Sequence, residues 1–383
     1  MLKLRGLAWD HRRCWGPLDA SVGPYCAAHP GIEIEWDRRS LYEFGEGALD
    51  PVLAAYDLVV FDHPFIGDIA RGRLMVPFDD YLSAAERAFF ERDSVGGSWR
   101  SYAMDGRQWA LPIDAACQVA SYRPDLMEPY GKLPATHDEV VALGRRVRAE
   151  GKWLGLPLVP TDAMCLLLTL ADPREDGEDF FAPDMVTRAI EQLRELAALS
   201  HPDSPKWNPI RCYDHMIAND DLVYVPFAFG YVNYASKAGA PHLLFADVPT
   251  PASTGALLGG AGIGVSAQSK HRRAAVDYAL FLCSPDYQRG DYVRSGGQPG
   301  SLSAWKDETV NASSRDFFRS TLKTIKSSYL RPTHSGFMTF FRQGAPRVAA
   351  AILGETPAPD LADALNRRYR ETKPADEPSR SVA

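Results

Sequence analysis

Gly259-Gly260-Ala261-Gly262-Ile263-Gly264-Val265-Ser266-Ala267-Gln268-Ser269-Lys270, running on through Arg272-Arg273-Ala274-Ala275-Val276-Asp277-Tyr278-Ala279-Leu280-Phe281-Leu282-Cys283-Ser284-Pro285, decides how this chain is read. The glycines predict a loop, because they permit backbone conformations and close approaches that a Cβ blocks. A short strand and a Ser-Gln-Ser turn should follow. Ala274, Ala275, Tyr278, Phe281 and Leu282 then recur at helical spacing, away from Lys270 and the two arginines. That pattern predicts a helix with one dry face and one wet face, ended by Ser284-Pro285. The glycines at 259, 260, 262 and 264 do not spell G-x-G-x-x-G ahead of a helix with a downstream acid, which sets nucleotide binding aside.

Working outward, residues 2–9 read as a strand, 10–17 as a loop and 18–28 as a helix, broken by His29-Pro30-Gly31. Ile32-Glu33-Ile34-Glu35-Trp36 alternates with strand periodicity, so the opening predicts a βαβ unit with parallel strands. Residues 56–62 form an apolar run suited to a buried parallel strand. If it neighbours the first strand, Asp10-His11 and Asp62-His63 share one rim at the carboxyl ends of the strands, where open α/β sheets bind ligands. Farther on, Thr136 and Glu139 fit a capping box for a helix over 136–150. Residues 152–158 read as a strand, and Asp184 as the cap of a helix carrying Val186, Ile190, Leu193 and Leu196. Residues 222–227 form another strand, entering an aromatic stretch at 229–234.

A length of 383 residues suits two domains rather than one core. The apolar share of 45% and charged share of 24% are those of an ordinary globular protein. A formal charge of −7 argues against nucleic-acid binding, which needs a basic surface. No run of about 20 apolar residues exists to span a membrane. The six cysteines are scattered, without a CxxC pair, which suggests neither zinc nor a disulfide framework. Met1 leads straight into the first predicted strand without the n- and h-regions of an export leader. The chain as written is therefore expected to be cytoplasmic, or periplasmic if a leader is missing.

Several segments in sequence order resemble the family 1 extracellular solute-binding proteins, the relatives of maltose-binding protein that feed ABC transporters. The opening at 9–17 with His29-Pro30-Gly31-Ile32 is similar to the family's first strand, helix and turn. Asp57 to Leu82, Trp109 to Asp114 with Tyr122-Arg123-Pro124-Asp125-Leu126, the glycine stretch into Pro285, Gly296-Gly297-Gln298-Pro299, and Leu353-Gly354-Glu355-Thr356 resemble later family segments. The resemblance implies an α/β, two-lobe, type II periplasmic-binding-protein-like fold, with discontinuous lobes, a hinge and an interlobe cleft. Lobe I would comprise 1–110 plus 262–310 and lobe II 113–259 plus 311–372, followed by a disordered tail over 373–383. The sequence departs from the family in lacking a leader, and in its Asp-His-Arg-Arg-Cys-Trp loop.

Trp9, Asp10, His11 and Trp15 are the first candidates for ligand contact: indole faces stack on sugars, and Asp and His fix hydroxyls. The alternative is that Trp9 packs in the core and Asp10 caps the next helix. Asp62, His63 and Phe65 follow at the second strand end. Metal binding there is disfavoured, because adjacent residues at a strand end point opposite ways. Asp114 and Tyr122 follow the first crossing; an Asp that caps or salt-bridges is the alternative. Phe229 and Tyr231, with Phe227 and Tyr234, would form an aromatic platform or simply core. Gly259 and Gly260 would offer backbone donors or form a plain turn. Arg12 and Arg13 could clamp a carboxylate or phosphate, and Arg331 has a similar status. No G-x-S-x-G, H-E-x-x-H or P-loop motif is present, so no enzyme, cofactor or metal is expected. The reading is a monomeric solute-binding protein of an ABC importer, taking a sugar, polyol or sugar acid. Its alternatives are a cytoplasmic sensor or carrier and, less favoured, a metal-dependent hydrolase.

Overall fold

A computed structural model describes residues 1–47, 49–175, 179–236, 241–249 and 255–374. Among them the strands are β1 (Leu2–Trp9), β2 (Ile32–Arg39), β3 (Leu58–Phe61), β4 (Ala103–Met104), β5 (Arg107–Gln108), β6 (Leu111–Tyr122), β7 (Trp153–Leu154), β8 (Leu222–Phe229), β9 (Leu244–Ala246) and β10 (Leu258–Val265). The chain divides into two compact units. Unit 1 holds Met1–Ala116, Leu258–Arg319 and Thr333–Ser335; unit 2 holds Cys117–Leu257, Ser320–Pro332 and the residues from Gly336 onward. No helix of the described residues is long and apolar enough to cross a membrane.

In unit 1, β1 lies parallel to β2 with Leu2 opposite Ile32 and Trp9 opposite Arg39. On its other side β1 is parallel to β3, with Gly6 opposite Leu58. The four residues of β3 are fully buried, as an apolar run covered on both faces demands. β10 runs antiparallel to β3, with Gly262 opposite Phe61 and Val265 opposite Leu58. The loop expected from the glycines is therefore strand. Gly262 and Gly264 lie two apart on one face, and a Cβ there would run into the ring of Tyr102 and the sulfur of Met75. Their missing side chains are replaced by side chains from elsewhere, which composition alone reads as a turn. Leu4, Ala8, Val60, Ile113, Ile263, Tyr278 and Leu282 belong to one core. The helix Arg272–Leu282 buries Ala275, Val276, Tyr278, Ala279 and Leu282, close to the expected dry face.

Helix α1 spans Arg12–Ala28 and α2 spans Leu41–Glu46. The loop expected over 10–17 thus shrinks to Asp10-His11. His11, not Asp10, is the cap, its side chain accepting a hydrogen bond from Arg13 N–H.

In unit 2 the second half of β6 pairs antiparallel with β8 and with β9, and β7 lies parallel to β8. The helices Phe337–Ile352 and Pro359–Thr372 pack with Pro160–Leu170 and Pro183–Leu199, burying Leu166, Leu167, Ile190, Leu193, Phe340 and Leu365. Two expectations need correction here. The strand expected over 152–158 is only the pair Trp153–Leu154. Asp184 stands in the first turn behind Pro183, and Ala182 is the cap position. Thr136 caps its helix as expected, and the Glu139 carboxylate reaches back to the backbone before it, accepting from Ala135 N–H (2.7 Å). Of the tail expected to be disordered, residues 375–383 lie outside the described residues.

Candidate functional site

Because β1, β2 and β3 are parallel, Trp9, Arg39 and Phe61 bring three carboxyl ends to one edge of unit 1. Polar groups gather at such an edge because the strands stop there and the connecting loops begin. Asp10 is exposed and donates its N–H to Arg39 C=O (2.7 Å), which locks the two strand ends together. His11 Nδ1 accepts from Arg13 N–H at 3.1 Å. Burial, reinforced by the Arg13 charge, pushes His11 down to about 4, so its ring is neutral at pH 7.

Arg13 and Asp114 form a buried ion pair, exposed by 4% and 1% of their side chains. Arg13 Nε donates to Asp114 Oδ2 at 2.7 Å and Nη2 donates to Oδ1. Both carboxylate oxygens are thus engaged by one planar fork, the geometry that makes guanidinium–carboxylate pairs strong. Burial raises the Asp114 pKa, opposed by Arg13. Gly260 holds a φ of +115°, and a Cβ on it would strike Asp114 C=O. Its role here is to let β10 approach β6 closely.

Trp9 is 3% exposed and stacks at a tilt against Phe44 (4.6 Å). Arg39, its parallel-strand partner, is 8% exposed, lies 5.8 Å from the same phenyl ring, and donates Nη2–H to Val60 C=O at 2.9 Å. Paired residues of adjacent strands project from the same face, so Trp9, Arg39 and Phe44 make one cluster. Burial pushes the Arg39 guanidinium down to about 10, leaving it charged at neutral pH. Two donors in this cluster, Trp9 Nε1 and Arg39 Nε, are buried without a hydrogen-bond partner among the described residues.

At the end of β3, Asp62 Oδ1 accepts from His63 N–H (2.8 Å) and caps the short turn His63–Phe65. His63 is fully buried, 6.3 Å edge-on from Tyr102, and Phe65 is buried beside it. Trp15 is half-buried, with the Arg38 guanidinium 4.2 Å over its ring. Arg12 is exposed, and Gly259 is buried. Of the unit 2 candidates, Phe229 is half-buried and accepts a backbone bond from Tyr213 Oη (3.0 Å); Tyr231 is buried, 6.4 Å edge-on from Tyr213. Tyr122 is half-buried, and Arg331 is buried 5.9 Å from the Phe341 ring. Unit 1 therefore brings Trp9, Asp10 and His11 together at the end of β1, while Asp62, His63 and Phe65 form their own turn at the end of β3. Arg39 and Phe44 escape sequence reading because the alternation Ile32-Ile34-Trp36 stops short of residue 39. The Ser40-x-x-Glu43 capping box, present in the structure, is the signal that would have extended the strand to Arg39.

One group among the described residues has metal-ligand spacing: His201, His215 and Asp221 of unit 2, with donor atoms within 4.8 Å of one another. Its hydrogen bonds oppose metal binding. Asp203 N–H donates to His201 Nδ1 (3.1 Å), so the proton of that neutral ring sits on Nε2, toward Asp221. A metal-bound ring instead keeps its lone pair on the coordinating nitrogen and donates from the other.

The family model of the bacterial extracellular solute-binding protein matches residues 22–314. Among solved structures, maltose-bound MalE3 of T. maritima superposes with a TM-score of 0.84 at 18% identity, over 97% of this chain and 100% of that one. The GacH receptor of Streptomyces glaucescens gives 0.80 at 16%, over 97% and 98%. An ABC transporter solute-binding protein of Agrobacterium vitis with bound D-mannitol gives 0.78 at 15%, over 97% and 98%. At these identities the structures speak for a shared fold, the mixed α/β fold of type II periplasmic binding proteins. With the family model matched across most of its length, the chain belongs to the bacterial extracellular solute-binding proteins, a family of binders.

Proposed function

We propose that this protein binds a small polar organic solute — a sugar, a polyol or a sugar acid — for delivery to an ABC importer, and that it acts as a binder rather than a catalyst. The observation that carries this reading is the carboxyl edge of unit 1, where the buried aromatics Trp9, Phe44 and Phe65 pack beside polar groups, in a chain of the solute-binding family. Apolar area with a few placed polar groups is what holds a polyhydroxylated ligand. The folds it resembles include proteins solved with maltose, D-mannitol and ribitol. Trp9, Asp10, His11, Trp15, Asp62, His63, Phe65 and Asp114 of unit 1, and Phe229 and Tyr231 of unit 2, are the proposed contacts, with backbone donors from Gly259 and Gly260.

A thermal-shift screen against sugars, polyols and sugar acids tests the reading. A ligand at a hundred times its dissociation constant adds about 2.7 kcal/mol, a rise of several degrees. No rise with any of the three classes would overturn it. A second reading, a carrier or sensor inside the cell, is favoured by six free cysteines, five of them buried. Fractionation of the native host decides between them: recovery outside the cytoplasmic membrane supports the importer, and recovery inside supports the carrier.

A further inference from the structure

Arg39 is a cation that feels the charge of Glu43 but closes no ion pair with it. The residue is only 8% exposed, and no acid lies within 4.0 Å of its guanidinium among the described residues. Two carboxylates of unit 1 are already engaged by other groups. Asp114 is held by both arms of Arg13. Glu43 Oε2 accepts from Ser40 N–H and from Ser40 Oγ, both at 2.9 Å, closing the cap of α2. Of the five N–H bonds of Arg39, Nη2 has Val60 C=O, while Nε is buried and unmatched. On the neighbouring strand, and on the same face, the indole N–H of Trp9 is likewise buried and unmatched. An unpaired buried charge costs several kcal/mol, and an unsatisfied donor adds to it. The two donors lie against one phenyl ring, at the carboxyl edge of a parallel half-sheet.

We infer that the solute carries a carboxylate, received by the Arg39 guanidinium with the Trp9 indole N–H as the second donor. The inference rests on the solute-binding reading and narrows it from sugars, polyols and sugar acids to the acids. A carboxylate is favoured over a phosphate because one guanidinium balances one charge, and its fork matches a planar pair of oxygens. A neutral hydroxyl satisfies a donor but leaves the buried charge uncompensated.

The test is calorimetric titration of the full chain with two matched pairs, D-gluconate against D-glucitol and D-glucuronate against D-glucose. At least one acid is expected to bind roughly 10-fold or more tightly than its neutral twin. Arg39→Gln is expected to weaken that acid roughly 10- to 100-fold while leaving the melting temperature of the free protein unchanged or higher, because it removes a buried unpaired charge. A purely structural arginine would give the opposite stability result. Arg39→Lys, which keeps the charge and loses the fork, should recover part of the affinity, and Trp9→Phe should weaken the acid by a smaller factor. If a neutral compound binds as well as its acid, or Arg39→Gln leaves the acid's affinity unchanged, the carboxylate inference falls and the solute-binding reading stands. If none of the four binds, the carboxylate inference falls as well, and the thermal-shift screen decides the broader reading.

Discussion

Two polar clusters, one in each unit, show what a satisfied network looks like beside an unsatisfied one. In unit 2, His201, His215 and Asp221 close on one another. His215 Nε2 lies 2.8 Å from Asp221 Oδ1, His201 Nδ1 takes a backbone N–H, and Trp207 lies 4.7 Å from each imidazole, stacked on His201 and tilted against His215. In unit 1, Arg13 and Asp114 close on each other, but Arg39 and Trp9 keep buried donors without partners among the described residues. Buried polar groups are nearly always paired, so the contacts of the unit 2 cluster explain it, whereas the unit 1 cluster holds donors that no described residue satisfies. Residue type alone points the wrong way. Histidines with an aspartate suggest a ligand site, whereas an arginine at the end of a strand suggests a solvated surface.

The largest effect should come from breaking the closed half of the unit 1 cluster. Asp114→Ala strands the Arg13 charge in the core and should cost about 3–5 kcal/mol in denaturant unfolding. A loss below about 1 kcal/mol would mean the pair is solvated rather than buried. The next effect is on pH. His11 titrates near 4 in the folded protein, against an ordinary value of 6.5. Below 6.5 the unfolded chain binds the proton that the folded chain refuses, so stability falls as pH drops from 6.5 to 4 and is fully present above 6.5. His11→Gln should flatten that slope by roughly 1–2 kcal/mol between pH 7 and pH 4. An unchanged slope would show that His11 takes up its proton in the folded state. The smallest effect should fall on unit 2. Asp221→Asn should cost about 1 kcal/mol or less, because Asp221 is partly solvated. Equimolar Zn²⁺ should leave the melting temperature of the parent protein unchanged. A rise of several degrees would show that the rings turn to ligate metal, and would erase the contrast between the clusters.

Much of the frame was legible in advance, for reasons that can be named. The apolar run at residues 58–61 had to be a buried strand, and β1, α1 and β2 followed from alternation and the His29-Pro30-Gly31 break. The glycine stretch was harder. Gly262 and Gly264 look like a loop until the Tyr102 ring and Met75 sulfur that occupy their empty face are seen. Asp62-His63, singled out as candidate ligand contacts, lies in a capped turn in which Asp62 accepts the N–H of the residue beside it. Trp9 was singled out from its strand-end position. Its partner Arg39, thirty residues on, was not, because only the register of β1 against β2 brings them together.

By itself the sequence determined the α/β class and the order of the opening elements, because periodicity, caps and breakers act over a few residues and are written locally. Tertiary structure alone decided which charges cancel. Arg13 and Asp114 stand a hundred residues apart and neutralise one another, whereas Arg39 has no acid within ion-pair distance among the described residues. Electrostatic pairing depends on distances of a few ångströms between remote segments, and no local pattern in a chain records them.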